Sequence, residues 1–102
     1  MIILYVLENC PYCNRALQIL TDNNIKYKSI IVKNTEEEKS YYKKQNKMSS
    51  FPQIFMKLDG DNYMKMGGCD DLQEIMEYCK SIKSANVSVD SIYGMYKLIY
   101  KK

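Results

Sequence analysis

The chain has 102 residues, 46% of them hydrophobic and 26% charged, which places it with single-domain globular proteins and excludes a disordered chain. Fifteen cations against 12 anions leave a net charge of +3; no basic run is interleaved with aromatics, so no nucleic-acid partner is expected, while a small anionic one is compatible. Histidine is absent, so any chemistry must run on thiols, carboxylates, lysines or tyrosines, and the usual companion of cysteine at zinc is missing.

Taken in chain order, "IILYV" (2–6) is a continuous apolar run, as in a strand buried on both faces. It is too short for a secretory signal, lacks a basic leader and meets Glu8 and Cys10 at once. "PYCNRALQILTDN" (11–23) carries Cys13, Ala16, Leu17 and Leu20 at helical spacing, with Pro11 suited to a first helical position. "YKSIIV" (27–32) reads as a second strand. "TEEEKSYYKKQNK" (35–47) opens with Thr35 and Glu38 in a capping-box pattern and continues as a polar helix. "QIFMKL" (53–58) and "NYMKM" (62–66) flank Asp59-Gly60, a hairpin signal. "DDLQEIMEYCKSIK" (70–83) puts Leu72, Ile75, Met76, Cys79 and Ile82 on one helix face. The last stretch, 85–102, can form a helix with Ile92, Met95, Tyr96 and Ile99 on one face, weakened at Gly94 by roughly 1 kcal/mol.

The order β-α-β-α-β-β-α plus a tail predicts an α/β fold, a four-stranded mixed sheet with helices on both faces. Residues 1–84 form the predicted domain and 85–102 a C-terminal extension, packed on it or attached to it. No apolar run approaches membrane-spanning length, and a reducing cytoplasm is the expected compartment. Four cysteines there do not suggest a disulfide framework.

Cys10 and Cys13 stand three apart where a buried strand gives way to a helix. At that spacing both sulfurs lie on one side of one turn. Cys10 precedes the first turn and faces its free N–H groups and the positive end of the helix dipole, which stabilise a thiolate, the form that attacks. Cys13, one turn in, is more enclosed and can close a disulfide onto Cys10. A structural zinc would need four ligands; Cys69 and Cys79 lack the spacing, so no metal is expected.

"CPYC" after a first strand resembles the active site of the dithiol glutaredoxins, which have a thioredoxin-like fold. "SSFPQIF" (49–55) is similar to that family's Thr-Val-Pro-x-x-Phe segment, whose proline is cis. "GGCDDL" (67–72) resembles its Gly-Gly-x-Asp-Asp-Leu segment, which holds glutathione. The resemblance spans residues 2 to about 84. It implies a glutathione-dependent thiol–disulfide oxidoreductase, with Cys10 as nucleophile, Cys13 as resolving thiol, and glutathione and protein disulfides as partners.

The same resemblance implies a glutathione site made by Tyr12, Phe51, Pro52, Gly68, Cys69 and Asp70. Phe51 would pair its backbone with the cysteine of glutathione. The helix start at 68–70 would take the γ-glutamyl carboxylate, and Asp70 the ammonium. An ordinary glycine turn and a plain helix-start Cys69 fit the same residues. The family usually carries a cation where Leu7 stands here, and Lys39 falls where some members touch the glycine carboxylate; a free surface lysine fits that position as well. Two rivals remain: a dimer bridging a [2Fe–2S] cluster through glutathione, which Pro11 disfavours by stiffening the loop, and an interaction protein docking through its tail.

Overall fold

The computed structural model describes residues 1–82 and 92–94. The strands are β1 (Ile2–Leu7), β2 (Tyr27–Val32), β3 (Gln53–Lys57) and β4 (Tyr63–Gly67), and the helices α1 (Pro11–Asp22), α2 (Glu36–Asn46) and α3 (Cys69–Ile82). The predicted order holds, with element ends differing by a residue or two. The strands form one mixed sheet in the order β2-β1-β3-β4. β1 pairs with β2 in parallel, across the α1 crossover, and with β3 antiparallel.

This order explains why β1 is apolar throughout. It lies inside the sheet, and Ile2, Ile3, Leu4 and Val6 are all buried. On one face Ile2, Leu4, Val6, Ile54 and Met56 meet α1 through Ala16 and Leu20, and α3 through Leu72, Ile75, Met76 and Cys79. Burying each such aliphatic side chain contributes roughly 1.5–3 kcal/mol. Ile92 joins the same core with no exposure. The rest of the predicted tail helix, with Met95, Tyr96 and Ile99, and the side chain of Ile82 lie outside the described residues.

The alternate residues of β1 and β3 face α2, as the period of two requires. Tyr5 lies between Tyr42 and Phe55, with ring centroids 5.4 and 5.9 Å away. Tyr41 packs edge-on against Tyr42 at 5.0 Å, so the tyrosine pair serves packing. Gln53 is fully buried, its Oε1 accepting from Asn46 Nδ2 at 2.7 Å. α2 itself buries no residue and leans on its caps. Thr35 Oγ1 accepts from the Glu38 N–H at 3.3 Å, but the Glu38 carboxylate turns to the Lys33 N–H at 3.5 Å, so only half of the predicted capping box forms. The β3–β4 hairpin closes through Leu58 N–H to Asn62 O at 2.8 Å, with Gly60 at φ 64°.

Candidate active site

β1 ends at Leu7, and a turn through Asn9, at φ 54°, brings the chain to Cys10. Asparagine tolerates that left-handed conformation better than most residues. Cys10 is the N-cap of α1: its backbone is extended and its Sγ accepts the Cys13 N–H at 3.2 Å. The thiol thus takes the place of the usual Ser or Asp oxygen, and one otherwise unpaired helix N–H points at sulfur. Its carbonyl accepts the first helical hydrogen bond, from Asn14 N–H at 2.9 Å. Cys10 is half-buried and Cys13 fully buried, and all four cysteines are free thiols.

The second thiol is pushed towards its protonated form. Burial pushes the Cys13 thiol up to about 12, helped by its hydrogen bond with Cys10, while a backbone hydrogen bond with Leu7 pulls the other way. Leu7 therefore contributes its backbone under the second sulfur, a role the missing cation at that position did not suggest. Cys13 holds its proton at neutral pH, and Cys10 has the N–H support and the exposure an attacking sulfur needs.

Beside this pair opens a cleft of about 470 Å³, within the range of small-molecule sites. Tyr12 lines it together with the loop Lys47–Pro52 and the segment Gly67–Asp71. The Phe51–Pro52 peptide is cis. Thus Tyr12, Phe51, Pro52, Gly68, Cys69 and Asp70 share one cavity. Cys10 stands two residues from Tyr12, close enough to Cys69 for its charge to act on that thiol. Burial raises the Cys69 pKa first, with Asp70 and Cys10 adding to the rise and Arg15 opposing it.

The structure does not bring Lys39 into this lining; its ammonium lies 3.1 Å from Glu36 Oε1, one turn back on α2. The cation that does line the cleft is Lys47, which sequence reasoning passed over along with Ser49 and Ser50. The one available signal was the position of Lys47 at the end of a helical pattern, where the chain must turn.

The two glycines of the 67–72 segment differ. Gly67 adopts φ 109°, and a Cβ there would run into the Asp71 carboxylate. That carboxylate is held in place: Asp71 Oδ2 accepts the Gly68 N–H at 2.8 Å, while Gly68 O accepts from Leu72 N–H at 3.1 Å. Gly68 is therefore the N-cap of α3, with Asp71 reaching back as in a capping box. A Cβ on Gly68 would meet only Pro52 O, at 3.7 Å, an ordinary contact. No group of three or more potential metal ligands occurs among the described residues, nor does any helix there have the length and apolarity to cross a membrane.

A glutaredoxin family model matches residues 2–61. Among curated relatives, glutaredoxin 1 of Rickettsia prowazekii is 48% identical over 73 residues, which cover 70% of this chain and 72% of the relative. Glutaredoxin 3 of Escherichia coli K12 is 29% identical over 69 residues, 68% of this chain and 77% of that one. Among solved structures, a glutaredoxin from Brucella melitensis superposes with a TM-score of 0.61 at 30% identity, over 79% of this chain and 83% of its own. A buckwheat glutaredoxin–glutathione complex shares the fold, with a TM-score of 0.61 at 18% identity over 79% and 72% of the two chains.

Proposed function

The chain belongs to the glutaredoxin family of thiol oxidoreductases, and from that premise we propose that it reduces glutathione mixed disulfides and protein disulfides through Cys10 and Cys13, with glutathione as the electron donor. The observation that carries this reading is the capping geometry of Cys10, whose sulfur takes the Cys13 N–H while Cys13 stays buried behind it.

Each step balances as thiol–disulfide exchange. The Cys10 thiolate attacks the glutathione sulfur of a mixed disulfide; the Cys10–glutathione bond forms, the original S–S bond breaks, and the substrate thiolate leaves and takes up a proton. The thiolate of a second glutathione attacks the bound glutathione sulfur, releasing glutathione disulfide and restoring Cys10. With a protein disulfide, Cys10 forms the mixed disulfide and Cys13 loses its proton and attacks the Cys10 sulfur. The substrate leaves with both thiols reduced, and a Cys10–Cys13 disulfide remains for two glutathiones to reduce. A glutaredoxin-like potential of roughly −200 to −230 mV lets a glutathione pool drive this cycle.

The cleft suits glutathione in size and in its charges. The backbone of Phe51 pairs with the cysteine of the tripeptide as a short strand addition. Gly68, Cys69 and Asp70, at the start of α3, hold the γ-glutamyl end, with Asp70 on its ammonium. Tyr12 lies against the peptide. A cytoplasmic setting fits a site kept reduced in this way. The buckwheat relative is known with glutathione bound, which supports the choice of donor.

The test is glutathione-coupled reduction of the hydroxyethyl–glutathione mixed disulfide. The wild-type chain should turn it over, and Cys10→Ser should be inactive. An active Cys10→Ser protein would move the nucleophile elsewhere, with Cys69 the next candidate. Purification as a brown dimer with little turnover would instead favour the cluster-binding reading.

A further inference from the structure

α2 ends in a way its sequence does not favour. Lys47 has φ 54° and ψ 47°, the left-handed conformation. Its N–H bonds to Lys44 O at 3.3 Å and the Met48 N–H to Lys43 O at 3.0 Å. This pair of bonds closes a helix with a left-handed residue, a position usually held by glycine. A side chain there crowds the following carbonyl. The strained residue is also tied down: Lys65 Nζ, on β4, donates to Lys47 O at 2.9 Å.

The same residue lines the cleft, where it is the one cation among the described lining residues, facing a lining that also contains Asp70 and Asp71. Asp71 is engaged with the Gly68 N–H. That leaves Lys47 and Asp70 as the charges available to a ligand, one of each sign. β4, which holds Lys47, runs directly into Gly67 and the start of α3. Through Lys65, Lys47 is thus tied to the strand that leads into the α3 start, where the γ-glutamyl group is placed.

We infer that Lys47 is a specificity-determining residue that recognises the α-carboxylate of the γ-glutamyl group, completing with Asp70 a pair of charges matched to that zwitterion. The inference rests on the glutathione reading above. It explains why a lysine stands at a strained glycine position: backbone strain held by surrounding bonds at a ligand site is typical of residues kept for function.

The experiment compares wild-type, Lys47→Gly, Lys47→Asn and Lys47→Arg proteins on two substrates, the hydroxyethyl mixed disulfides of glutathione and of cysteinylglycine, which lacks the γ-glutamyl group. Glycine and asparagine both tolerate the left-handed backbone, so both variants should fold with Tm at or above that of the wild type. Each should raise the KM for the glutathione substrate about two- to five-fold, the range of an exposed ion pair, with kcat retained, since such a contact holds ground and transition states alike. Lys47→Arg should stay near wild type. The KM for the cysteinylglycine substrate should be the same in all four proteins. An unchanged glutathione KM in Lys47→Gly and Lys47→Asn, or equal rises on both substrates, would overturn the inference and leave the glutathione reading intact. A wild-type protein that fails to turn over the glutathione substrate would remove both.

Discussion

Cys10 and Cys13 occupy one helical turn, yet their surroundings differ. Cys10 accepts a backbone N–H at 3.2 Å and is half-buried. Cys13 has no exposure and is pushed up to about 12. Cys13→Ser should therefore retain turnover of glutathione mixed disulfides, which need one attacking thiol, and lose most reduction of protein disulfides, which need a resolving one. Parallel assays on a small mixed disulfide and on a protein with an internal disulfide check this; a loss of both activities would place Cys13 in the first step. The placement of the two sulfurs was legible because Pro11, the preceding strand and the three-residue spacing put Cys10 at the helix start and Cys13 one turn in. Lys47 was not legible. Its left-handed backbone arises from how α2 closes onto the 48–52 loop, and nothing in lysine itself announces that geometry.

The junction between β4 and α3 shows which elements depend on single residues. A bulge shifts the β3–β4 register between Ile54 and Phe55, and β4 leaves the sheet at Gly67 with φ 109°. Gly67→Ala must adopt that conformation and also displace the Asp71 carboxylate. The expected cost is about 1–3 kcal/mol, seen as a lower Tm together with a raised KM for glutathione as the α3 start shifts. Gly68→Ala should be much milder in Tm. Equal losses from the two variants would contradict the assignment of the cost to the positive φ and the Asp71 clash at Gly67. In the sequence the two glycines looked alike, because no local pattern records which of them takes a positive φ. α2 makes the opposite case. With no buried residue, it leans on its N-cap, and Thr35→Ala should cost about 1 kcal/mol in denaturant unfolding.

Across the whole molecule, folding raises the pKa values of Cys13, Cys69 and Tyr5, in each case mainly through burial. The folded protein thus keeps protons that the unfolded chain releases, and the resulting stability is complete below the ordinary thiol value of 9.0 and lost as pH rises towards about 12. Reduced protein should lose stability in urea between about pH 8 and about pH 11, and Cys13→Ser should flatten much of that loss. A Cys13→Ser profile identical to wild type would assign the alkaline sensitivity to the other groups. The topology was readable from the alternation of apolar runs with amphipathic ones, and β1 was recognisable as a central strand because both its faces are apolar. The docking of Ile92 into the core shared by α1 and α3 was only half visible: the sequence marked an apolar helix face, but which surface it meets depends on contacts distant in the chain. In the proposed cycle Cys10 is the sulfur that receives glutathione. The most direct measurement is mass spectrometry of the Cys13→Ser protein after exposure to a glutathione mixed disulfide, with the adduct located by peptide mapping. A single glutathione on Cys10, removed again by free glutathione, is the expected result; an adduct on Cys69 with Cys10 unmodified would contradict it.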